Sequence, residues 1–170
     1  MPYAYSDVEL WSSPEHPPAP SLLPPASSGL PVRLAQAGKT LNFALLAGEI
    51  AGVETEEARR ILESLSSWPD SIAHVLYEDD LAVLVAVLGK VSRVLAGAVD
   101  AAGHPLGDAG RTLAEHPLME QSAEGRLRSV SQHVDLADLR HDLDRLCDFL
   151  CWAVDHGLYV RIRPPGGGAD

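Results

Sequence analysis

Aromatic residues make up only 5% of the 170-residue chain, and only two of its thirteen basic residues, Lys39 and Lys90, are lysine. With so few aromatics, Leu, Val and Ala must fill the core, which favours close helix packing over a large ligand cavity. The thirteen bases face twenty-four acids, for a net charge of -11 and a pI near 4.9. Attraction to phosphates needs a basic surface, so nonspecific nucleic-acid binding is disfavoured. The only two cysteines, Cys147 and Cys151, sit four residues apart in a helical pattern, which is not the framework of a disulfide-stapled secreted domain. The longest apolar run, Leu81 to Leu88, is stopped by Gly89 and Lys90, against the roughly 20 residues a bilayer span requires. The first residues, MPYAYSDVELW, show neither a basic start nor an apolar run of signal-peptide length. A Gly-rich phosphate loop, a nucleophile elbow and a His-Glu zinc helix are all missing. These absences predict one cytoplasmic domain with no membrane segment and no cofactor.

What is present is mostly helical periodicity. Residues 1–31 hold eight of the thirteen prolines and read as an extended or disordered arm, though Tyr3, Tyr5, Leu10 and Trp11 are apolar anchors a plain spacer would not need. From 32 to 158 the pattern predicts a single all-helical domain, and 159–170 a short extended tail ending in glycines. Leu41, Leu45, Leu46 and Ile50 form one stripe that Gly52 ends; Ala58, Ile61, Leu62 and Leu65 form another behind Thr55 as N-cap. Pro69 and Asp70 restart the chain ahead of Ile72, Val75 and Leu76. Leu81, Leu84, Leu88, Val91, Leu95, Ala98 and Ala102 alternate spacings of three and four, which marks a central, buried helix. A short helix is predicted from Arg111 to His116, and another behind Ser122 with Leu127, Val130 and Val134 inward. Asp135 and Asp138 open the last helix, whose seam is Leu136, Leu139, Leu143, Leu146, Leu150 and Val154, with Gly157 as its stop. The predicted fold is an all-α, irregular bundle of about five to seven helices, with the last helix packed on the central one.

The acidity is not spread evenly. The segment from Glu54 to Asp80 carries a net charge of -6 and that from Asp135 to Leu158 a net charge of -4. Such faces keep a small protein soluble; placed side by side they would also form one acidic patch for a basic partner. Glu54, Glu56, Glu57, Asp138, Asp142 and Asp148 are the candidate partner-binding residues.

Three local resemblances compete with that reading. Leu46 to Leu62, LAGEIAGVETEEARRIL, resembles the helix-turn-helix core of bacterial repressors, and AVDHGLYVRIRPP looks like the helix-to-wing passage of winged helices, with Arg161 and Arg163 as phosphate contacts. The resemblance implies a transcriptional regulator. It departs from that family where the recognition helix would meet DNA, because Glu54, Glu56 and Glu57 would face the phosphates. Arg140-His141-Asp142-Leu143 resembles the box around the phosphoacceptor of histidine-kinase dimerisation helices, which implies a phosphotransfer module centred on His141. Asp79-Asp80 resembles half of a prenyl-diphosphate metal motif, without the companion acids and in a chain too short for that fold. Cys147 and Cys151 share a helix face and are weak candidates for a soft metal, since no further ligands stand at metal spacing near them. No family is recognised across the full chain. The expected function is that of a noncatalytic acidic interaction factor, an adaptor, inhibitor or immunity-type protein, whose partner presents a basic surface. The oligomeric state is left open, with a homodimer as one option.

Overall fold

The alternating three-and-four spacing between Leu81 and Ala98 folds as it predicts. In the computed structural model, which describes residues 7–12, 18, 20–31, 33–66, 74–130 and 134–163, this segment is helix α3 (Glu78–Ala98). Leu81, Leu84, Leu88, Val91, Leu95 and Ala98 are buried along one seam, and Glu78, Asp79 and Asp80 occupy the first turn, where the helix dipole favours acids. The helix stops at Ala98, short of Ala102. Around it pack α1 (Ala37–Ile50), α2 (Glu56–Ser66), α4 (Gly107–Glu115) and α5 (Leu136–Asp155). By length and apolarity alone α3 could cross a membrane; here its leucine seam is buried in the core.

The helix ends follow from local chemistry. Asp135 caps α5, its Oδ1 accepting from the Ala137 amide at 2.8 Å. Gly52 (φ 91°) and Gly157 (φ 63°) end α1 and α5 in the left-handed region that glycine enters without a Cβ clash. The following amides then turn back, Val53 to the Gly48 carbonyl and Leu158 to that of Ala153, each at 2.8 Å.

The all-α expectation is overturned. Beside the five helices, the described residues form six short strands in two antiparallel sheets, so the chain is a mixed α/β protein and not a helical bundle. Strands β1 (Asp7–Trp11), β2 (Arg33–Leu34), β3 (His74–Leu76) and β6 (Tyr159–Arg163) lie in the order β2-β1-β6-β3. Val8 faces Ile162 and Leu10 faces Val160 across the β1–β6 pair, and all four are buried on the helix side. The Pro-rich leader and the C-terminal segment, both set outside the folded body in the sequence reading, thus close the sheet against each other. The C-terminal strand is not an edge: β6 is flanked by β1 and β3. Sequence periodicity misses these strands because each has only two to five residues, too few for period-two alternation to stand out, and their partners are distant along the chain.

The helix expected behind Ser122 is also replaced. β4 (Met119–Gln121) and β5 (Leu127–Ser129) form a hairpin, with Leu127 and Ser129 both buried and Arg128 exposed between them. A three-four spacing of Leu127, Val130 and Val134 imitates a helix, yet burial alternates by two. Val75 and Leu76 likewise lie in a strand, not a helix. Pro69, Asp70, Ile72, Tyr3 and Tyr5 lie outside the described residues.

Candidate functional site

The buried seam of α5 runs through Leu136, Leu139, Leu143 and Leu146; between these residues Arg140 is half-buried and donates to the Val99 carbonyl, while most of the others reach solvent. Asp138, Asp142, Arg145 and Asp148 are all exposed on that helix. Asp138, Asp142 and Arg145 share a stripe, three to four residues apart, that faces the start of α1. Between the two helices lies a groove of about 420 Å3 with Leu34, Phe43 and Leu139 as its apolar lining and Lys39, Thr40 and Arg145 among its polar wall. Among the described residues, Asp138, Asp142, Lys39 and Arg145 have no hydrogen-bond or ion-pair partner. Two carboxylates and two cations therefore rim one cavity without forming ion pairs with each other.

The terminal strands position this groove. Asp7, the first residue of β1, ion-pairs with Arg33 of β2, and its Oδ1 accepts from the Gln36 amide at 3.0 Å. Gln36 is held at φ 56°, a left-handed backbone for a side-chain-bearing residue, just where the chain turns from β2 into α1. That corner sets the first turn of α1, and so Lys39 and Thr40, against α5. On the other wall Asp144 accepts from the Ser92 hydroxyl at 2.7 Å, which ties α5 to α3.

The second acidic region is built differently. Glu54, just before α2, and Glu56 and Glu57 in its first turn are exposed, and Glu54 and Glu56 line an open depression of about 460 Å3 at the α1–α2 turn. Glu56 pairs with Arg60 at 2.9 Å, and Arg59 pairs with Glu49 of α1 at 2.8 Å. Among the described residues α2 and α5 both pack on α3, with no substantial contact joining them to each other. The six candidate acids thus fall into two separate regions. The helix-turn-helix resemblance meets the same obstacle: both arginines of α2 are engaged by carboxylates, and its exposed N-terminal turn is acidic. Arg161 lies 4.5 Å from the centre of the Trp11 ring within the sheet, and the Arg163 side chain lies outside the described residues.

His141 is exposed on α5 beside Asp142. Cys147 and Cys151 are partly buried and unlinked. Burial, reinforced by the neighbouring Cys151, Asp144 and Asp148, pushes the Cys147 thiol up to about 12, and burial also raises that of Cys151. The thiolate needed for metal ligation or nucleophilic attack is disfavoured at both. Among the described residues no three His, Cys, Asp or Glu side chains converge as a metal site.

Sequence reasoning passed over Lys39, Phe43 and Arg145, because nothing local shows that α1 will lie along α5. It also passed over Asp100. That carboxylate accepts from the Ala102 and His104 amides at 2.9 and 2.8 Å and faces the His104 ring, whose Nε2 lies 3.1 Å from the Glu124 carbonyl. The His104 amide bond, chiefly, holds the Asp100 carboxyl below its ordinary value. This network joins the α3–α4 loop to the β4–β5 hairpin. Compared with protein-family models, characterised proteins and solved structures, the chain matches none of them.

Proposed function

We propose that the protein is a noncatalytic interaction factor that recognises a basic partner surface through the outer face of α5. The observation that carries this reading is the state of the α5 carboxylates. Asp138, Asp142 and Asp148 are exposed on one long, well-anchored helix and, among the described residues, form no ion pair. Solvated carboxylates on a rigid element can be matched by a partner's Arg or Lys without first breaking an internal pair. At α2 the opposite holds for Glu56, which already has Arg60.

Binding of an arginine-rich peptide, followed by fluorescence anisotropy at low and at physiological salt, tests the reading. Affinity is expected to fall as salt rises, because the contacts are exposed charge pairs. Reversing Asp142 and Asp148 together to lysine should weaken binding about tenfold, since each exposed pair contributes up to about 1 kcal/mol. Reversing Glu56 and Glu57 should weaken it less. Equal affinity for the wild type and both double variants would remove the proposal.

A further inference from the structure

The α1–α5 groove carries charge of both signs, which a purely basic partner does not explain. Asp138 and Asp142 rim it from α5, Lys39 stands on α1, and Arg145 stands three residues beyond Asp142, a rise of about 4.5 Å along the helix axis. All four lack a hydrogen-bond or ion-pair partner among the described residues, although they line one cavity. Asp135, the other acid lining it, is already engaged by Arg126 at 2.8 Å and by the Ala137 amide. Beneath the charges lie Phe43 and Leu139, both almost fully buried, with half-buried Leu34 beside them.

We infer that this groove is a binding site for a small zwitterion of the amino-acid class. Its ammonium group would pair with Asp138 and Asp142, its carboxylate with Lys39 and Arg145, and its side chain would rest on half-buried Leu34 and Val134. A cation alone would be repelled by Lys39 and Arg145, and an anion alone by the two aspartates. A ligand bearing both charges engages all four groups at once. The volume of about 420 Å3 lies in the range of small-molecule sites, where apolar walls hold the body of the ligand and a few polar groups orient it. This inference goes beyond the basic-partner reading; the two share Asp138 and Asp142 and separate at Lys39 and Arg145.

The test titrates the full chain with a panel of the free L-amino acids, by calorimetry and by ligand-induced shift in melting temperature. N-acetylated and C-amidated forms of whichever binds are run beside it. The expected result is saturable binding by at least one free amino acid, weakened about tenfold or more when either its amine or its carboxylate is blocked. Asp142→Asn and Arg145→Gln should each weaken it by a similar factor, while Glu57→Gln leaves it unchanged. Because these positions are exposed, the unliganded variants should melt as the wild type does, and that melt separates lost binding from lost folding. Absence of binding across the panel would overturn the inference. So would binding of argininamide equal to that of free arginine and insensitive to Arg145→Gln; that outcome would identify the groove as a cation site and favour the basic-partner reading instead. Loss of arginine-rich peptide binding in the Asp142 and Asp148 reversals bears on that other reading and leaves this one standing.

Discussion

The acids of α2 and of α5 are the same chemical groups on the same kind of secondary structure, yet their surroundings differ. On α2, Glu56 is answered by Arg60 one turn away, and the nearby depression is lined largely by the polar α1–α2 turn. On α5, Asp138 and Asp142 stand at the rim of a groove with an apolar lining and lack cationic partners among the described residues. A tally of charge ranks α2 first; the neighbours rank α5 first. Charge density marks where a chain is well solvated, and only the adjacent surface decides whether the charges can recognise anything.

Core truncation tests the comparison most severely. Leu143 is fully buried beneath the α5 stripe, whereas Leu62 anchors α2, which lies on α3 alone among its principal helix contacts. Leu143→Ala should destabilise by about 3 kcal/mol and Leu62→Ala by about 2 kcal/mol in urea unfolding. A larger loss at Leu62 would mean that α2, not α5, is the better anchored platform. Next in size is the α5 cap: Asp135→Ala should cost about 1 kcal/mol through the lost Ala137 bond, and should weaken ligand binding in the groove that Asp135 also lines. An unchanged unfolding midpoint would show that the cap does not hold this end of the helix.

Asp100 gives a standard for a carboxylate with a structural task. Its lowered pKa means that its stabilisation is complete above the ordinary aspartate range and is lost as pH falls through the depressed folded value. The melting-temperature gap between the wild type and Asp100→Asn should therefore be widest near neutral pH and shrink in acid. A gap that stays constant with pH would show that the carboxylate charge is not what holds the loop. The smallest effects belong to the solvated acids themselves. Glu56→Gln and Asp142→Asn should each change stability by no more than about 0.5 kcal/mol, so that any larger effect on binding at Asp142 is a recognition effect. A loss above that at Glu56 alone would show that the Arg60 pair is structural.

Much of the helical body is legible in the residues because its signals are local. The α3 seam, the Asp135 cap and the glycine stops at Gly52 and Gly157 each act within one or two turns of chain. The β4–β5 hairpin misleads because Leu127, Val130 and Val134 happen to keep helical spacing. The candidate site was half visible: Asp138, Asp142 and Arg145 follow one another along a single helix, while Leu34, Lys39 and Phe43, which complete the groove, come from elsewhere on the chain.

By itself the sequence located the five helices over most of their length, the faces they bury and the segments that carry the negative charge, while it also read helix where β3 and the β4–β5 hairpin stand. Tertiary structure alone decided that residues 7–11 and 159–163 pair as inner strands of one sheet, that the two acidic regions stay apart, and that Lys39 of α1 meets Asp138, Asp142 and Arg145 of α5 at one groove. The physical reason is range. Helical hydrogen bonds and caps join residues two to five apart, whereas the β1–β6 pairing joins residues about 150 apart and the α1–α5 groove residues about 100 apart, and these form only when the whole chain closes around its core.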